Sequence, residues 1–85
     1  MKARLLDVRR LESSTGSLRV ALVVPKYGFT AVRRNRLKRR LRELARQTLL
    51  PRAVSCDVLL RARREAYTAS FELLRADVTD LALRL

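Results

Sequence analysis

Between residues 18 and 25, Leu18, Val20, Leu22 and Val24 alternate with Arg19, Ala21 and Val23, and Pro25 closes the run. A period of two with β-branched residues predicts a strand. Residues 4–11 have a similar but more charged rhythm, and the Ser-, Thr- and Gly-containing cluster at 12–17 predicts a turn. Residues 4–25 therefore read as a hairpin. Ala21 and Val23 make the second face of 18–25 apolar as well, so that strand reads as central in its sheet, with no evident cover for its second face.

The period then changes. Thr30 is placed to cap a helix that runs from Ala31 to about Leu50, where Pro51 stops it. Such a helix is roughly 28 Å long. Its apolar stripe is Leu37, Leu41, Leu44 and Thr48, suited to packing on a sheet. Residues 55–63 return to alternation, with Cys56, Val58, Leu60 and Ala62 on one side. Ser70 is placed to cap a last helix with Phe71, Leu74, Val78, Leu81 and Leu85 on one face. The order β-β-α-β-α predicts an α+β fold, a small mixed sheet with packed helices, in one domain over residues 1–85.

Charge changes the picture. Twenty basic residues face eight acids, a net of +12, and 17 of the 20 are arginine. That preference suits bidentate phosphate recognition, and a GC-rich genome also produces it. There is no histidine and one cysteine, so histidine-based nucleophile pairs, His metal sites and an internal disulfide are excluded. Cys56 reads as a small buried hydrophobe. No apolar run reaches the length of a membrane span, and residues 1–7 lack a signal-peptide core, which points to a cytoplasmic protein with no membrane partner.

Residues 31–46 hold eight of the cations and one acid, Glu43, a net of +7. On a helical wheel starting at Leu37, with 100° per residue, Lys38, Arg42, Asn35, Arg46 and Arg39 occupy the side away from the apolar seam. Arg36 and Arg40 continue round, and Arg34 lies beside the seam. Like charges at i and i+4 repel, as in Arg34–Lys38, Arg36–Arg40, Lys38–Arg42 and Arg42–Arg46. A docked polyanion relieves that repulsion, and nucleic acid is the commonest in a cell. Asn35 sits amid the cations with an amide suited to a base edge or a ribose hydroxyl, or to capping or hydration. Tyr27 and Phe29 are suited to stacking on a base or to packing at the start of the helix.

The run Arg34-Asn35-Arg36-Leu37-Lys38-Arg39-Arg40-Leu41-Arg42-Glu43 resembles the signature of the bacterial ribonuclease P protein family. Val23-Val24-Pro25-Lys26-Tyr27-Gly28 before it, and Asp57-Val58-Leu59-Leu60-Arg61-Ala62-Arg63 after it, are similar to the family's flanking segments. The resemblance covers roughly residues 4–85. It implies a protein that binds a large catalytic RNA, the ribonuclease P RNA, and assists removal of the 5′ leader from precursor tRNA. The RNA and its Mg²⁺ would perform the hydrolysis, no cofactor being held by the protein alone. By position, Arg34, Asn35, Arg36, Lys38, Arg39 and Arg42 would contact that RNA, and a cleft on the sheet would hold the leader. Family members usually begin with a helix and an extra strand, whereas this chain starts near the family's second strand. A misassigned start or a shortened form is expected.

The acids point the same way without the resemblance. Phosphodiester hydrolysis by two metals needs several carboxylates converging on one place. Asp77 and Asp80 lie on the last helix, and Asp7 and Asp57 lie in strands, so no catalytic residue and no metal site is expected in the protein. The alternative reading is a general structured-RNA or ribosome-binding protein. An anionic-membrane binder is a third.

Overall fold

The computed structural model describes residues 5–12, 16, 18–51 and 56–84. Three strands, β1 (Leu6–Glu12), β2 (Leu18–Val23) and β3 (Cys56–Ala62), form one sheet. Helix α1 (Ala31–Leu44) comes after β2, and helix α2 (Phe71–Arg84) ends the described chain. The order β-β-α-β-α and the α+β class are as expected.

The hairpin is not. β1 and β2 do not pair; β3 lies between them, antiparallel to β1 and parallel to β2. Two features of the chain explain this. Five residues separate β1 from β2, more than the two that lock a tight hairpin. The parallel pairing lets α1, as the crossover between β2 and β3, lay its stripe on the sheet. β3 has the best-buried inner face, with Cys56, Val58, Leu60 and Ala62 all enclosed, so it takes the centre. β2 is therefore an edge strand rather than a central one.

Both helices pack on one face of the sheet. Leu37, Leu41 and Leu44 of α1 and Leu74, Val78, Leu81 and Ala82 of α2 meet Leu6, Val24 and the inner residues of β3. On the other face, the register sets three rows across the sheet: Asp7–Arg61–Val23, Arg9–Leu59–Ala21 and Leu11–Asp57–Arg19. Among the described residues no element covers it, and Leu11 is 64% exposed. The Arg19 guanidinium donates two hydrogen bonds to the Asp57 carboxylate, at 2.8 and 2.9 Å. That pairing draws Asp57 below the ordinary carboxylate range.

Both predicted caps form. The Thr30 hydroxyl accepts from the Arg33 amide and the Ser70 hydroxyl from the Leu73 amide, each at 3.2 Å. The first long helix differs at its end. After Leu44 it widens into a π-helical turn, Ala45–Leu49. The extra residue in that turn rotates the positions beyond Leu44, so Leu49, not Thr48, enters the core. In α2, Phe71 stands at the first position and is 40% exposed rather than part of the buried stripe, which is Leu74, Val78, Leu81 and Ala82. Leu85 lies outside the described residues.

Candidate nucleic-acid interface

The start of α1 is bolted to the sheet. The chain leaves β2 through residues 24–30, turning at Tyr27 and Gly28, both with positive φ. Three side chains donate to the carbonyls of this connector. Arg34 Nε reaches the Val24 oxygen at 2.7 Å, the Tyr67 hydroxyl reaches that of Pro25, and Arg64 Nη1 reaches that of Tyr27 at 3.3 Å. Tyr67 belongs to a 3-10 turn, Arg64–Tyr67, just after β3. Its burial pushes the hydroxyl above the ordinary tyrosine value, against the opposing pull of the Arg34 and Arg33 charges.

Phe29 stacks on Tyr67 with centroids 4.2 Å apart, and the Arg33 guanidinium lies 4.4 Å from the Phe29 ring centre. Tyr27 meets Tyr67 edge-on and donates its hydroxyl to the Ala62 oxygen. Both aromatics of the connector are thus committed to packing at the start of the helix, one of the two roles open to them in the sequence.

From this anchorage α1 points its cations outward. Asn35, Arg36, Arg39 and Arg42 are exposed along it, and Lys38 and Arg40 are half-buried. Among the described residues, the ion pairs use Arg10, Arg19, Arg46, Arg63 and Arg84. Arg36, Lys38, Arg39, Arg40 and Arg42 therefore have no acidic partner there. The first turn of α1 carries no acid, and Arg33 and Arg34 stand at the positive end of the helix dipole. The local field thus favours an incoming anion. The Asn35 amide has no partner among the described residues. Lys38 and Arg42 overhang a groove whose floor is Val20, Leu22 and Ala45, beside the free edge of β2.

Of the six residues expected to contact RNA, Asn35, Lys38, Arg39 and Arg42 share one side of the helix. Arg36 projects elsewhere, beside Arg40 and the 3-10 turn. Arg34 ties α1 to the end of β2. Arg46, expected on the same cationic side, is instead engaged by Glu43 at 2.6 Å, one turn back along the helix. That contact holds the Glu43 carboxyl below its usual range. Reading the motif alone misses Arg33, Arg40 and Arg64. Helical spacing puts Arg33 and Arg40 on one side of α1; the approach of the 3-10 turn, which adds Ala66 and Tyr67 beside them, is the tertiary feature.

The acids do not assemble. Asp77 accepts the Leu5 amide at 2.6 Å, and Asp80 pairs with Arg84 at 3.0 Å. Among the described residues no three Cys, Asp or Glu side chains are grouped to hold a metal ion. Nor is any described helix long and apolar enough to cross a membrane.

Known proteins resemble this chain in both sequence and shape. A Thermus oshimai ribonuclease P protein component is 45% identical over 78 residues, which are 92% of this chain and 48% of the relative. That from Kocuria rhizophila is 45% identical over 65 residues, 75% of this chain and 58% of the relative. The chain thus spans about half the length of these relatives. The RNase P protein of Thermotoga maritima superposes with a TM-score of 0.86 at 22% identity, over all of this chain and 81% of that one. The Staphylococcus aureus RNase P protein gives 0.83 at 21% identity, over 99% and 76%. The ribonuclease P family model matches residues 2–85. With nearly its full length accounted for by that match, the chain belongs to the ribonuclease P protein family.

Proposed function

We propose that this chain is the protein subunit of ribonuclease P, which binds the catalytic RNA through α1 and assists removal of the 5′ leader from precursor tRNA. The observation that carries the reading is the row of cations on α1 without acidic partners among the described residues, inside the family's own sequence signature. Arg34, Asn35, Arg36, Lys38, Arg39 and Arg42 are the proposed contacts. Asn35 supplies a hydrogen-bonding amide where its neighbours supply charge. Arg34 serves by holding the helix at its angle to the sheet, with its remaining N–H groups available to the ligand.

The physical work of the protein is neutralisation. Packed RNA helices repel, and a rigid rod of guanidinium groups lets their backbones approach with fewer bound counterions. Mg²⁺ enters with the RNA, and the hydrolysis belongs to the RNA. The outer face of the sheet, where Arg9, Leu59 and Ala21 form one row and Arg61 stands in the next, is the proposed resting place of the single-stranded leader.

The test is precursor-tRNA cleavage by the cognate RNA across a Mg²⁺ titration, with and without the chain. The expected result is cleavage at a lower Mg²⁺ concentration when the protein is present. Identical titrations refute the reading. Equal affinity for unrelated structured RNAs in competition would replace it with a general RNA-binding role.

A further inference from the structure

The cations of α1 fall into two arcs that adjoin at Arg39 and Arg36. At about 100° per residue, Lys38, Arg42, Asn35 and Arg39 fall within one arc, whereas Arg36, Arg40 and Arg33 fall within another, centred roughly 140° away. Glu43, the single acid of the segment, projects between the arcs on the nearer side and is bonded to Arg46 and Gln47.

The second arc has its own enclosure. Arg33, Arg36 and Arg40 line one small cavity with Leu37, Ala66 and Tyr67. No acid takes part in that lining; outside it, the Arg64 guanidinium lies 5.6 Å from the Phe29 ring centre. Arg36 and Arg40 are an i,i+4 pair of like charge with no acidic partner among the described residues, an arrangement that costs stability until an anion arrives. The Tyr67 hydroxyl is spent on Pro25, so the ring is a wall and the arginines are the donors.

One backbone strand does not serve both arcs. A helix with its side chains is about 10–12 Å across. A strand seated on Lys38 and Arg42 lies roughly 140–180° round the helix from Arg33 and Arg40. We infer that α1 is a two-sided strut. Its Lys38, Arg39 and Arg42 side holds one stretch of RNA backbone, and Arg33, Arg36 and Arg40, against the 3-10 turn, take the phosphodiesters of a second, separate stretch. The inference rests on the RNA-binding reading above and adds to it that the helix joins two parts of the folded RNA.

The experiment measures the affinity of the 85-residue chain for its ribonuclease P RNA over a range of KCl. Two paired variants, Arg36→Gln with Arg40→Gln and Arg39→Gln with Arg42→Gln, are compared with the parent. Each pair is expected to flatten the log–log salt slope by about 1.4–1.8, as for two lost phosphate contacts. The four substitutions together flatten it by the sum. A slope unchanged by the Arg36 and Arg40 pair overturns the two-sided strut while leaving RNA binding intact. An affinity of the parent chain that does not depend on salt removes the RNA-binding reading itself.

A second measurement maps the contacts. An iron chelate that cuts nearby RNA is tethered through Arg40→Cys or Arg42→Cys, the native Cys56 being buried. Cuts from the two tethers are expected in segments far apart in the RNA sequence. The same cuts from both tethers overturn the inference.

Discussion

Arg34 and Arg39 stand five positions apart in one cationic run and do different work. Arg34 has its Nε on the Val24 carbonyl, whereas Arg39 is exposed and has no acidic partner among the described residues. Arg34→Ala is expected to cost about 1–2 kcal/mol in urea unfolding, from a lost charged hydrogen bond and a carbonyl left without its donor. Arg39→Ala should stay within about 0.5 kcal/mol of the parent while weakening RNA binding. The wheel made most of this legible: Asn35, Lys38, Arg39 and Arg42 share a side because helical geometry fixes their bearing once Leu37 and Leu41 face the core. The Arg34 tie was not legible, since its acceptor lies ten residues back and meets it only through the tertiary turn. Tyr67 is a similar case. Its folded-state pKa is raised by burial, so its contribution to stability is complete below the ordinary tyrosine value near 10 and is lost as pH rises through the higher, folded value. The melting temperature should therefore fall above about pH 10, and Tyr67→Phe should lessen that fall while lowering stability at neutral pH through the lost Pro25 contact.

Periodicity located every strand and helix among the described residues to within a few positions, apart from the short 3-10 turn, because each has one face in the core. It failed where the period itself changed. The π-helical turn replaces Thr48 by Leu49 as the buried position, and a strict 3.6-residue repeat has no means of showing it. Leu49→Ala is therefore expected to cost about 2–5 kcal/mol and Thr48→Ala about 0.5 kcal/mol or less, compared by urea unfolding. Strand pairing was the other failure. Alternation reports that a strand has an inner face but not which neighbour it hydrogen-bonds. The hairpin reading relied on sequence adjacency, and the crossover helix, which needed a sheet face for Leu37, Leu41 and Leu44, decided otherwise. The apolar outer side of β2, read as a sign of a central position, belongs instead to a sheet face that no described element covers.

The molecule as a whole carries a net charge of +12, much of it on one rod. Self-repulsion on that scale weakens the compact state and is screened by salt. The melting temperature of the free chain should rise as KCl is increased, and the Arg36→Gln and Arg40→Gln variant should show a smaller rise. Sheet order adds a consequence in time. β3 is last of the three strands in sequence and middle in space, so neither β1 nor β2 has its sheet neighbour to bond until residue 62 is available. During synthesis the arginine-rich segment leaves the ribosome's exit tunnel ahead of the strand that completes its support. For that interval the nascent chain is at its most adhesive toward any polynucleotide nearby, before it has a surface shaped to choose among them.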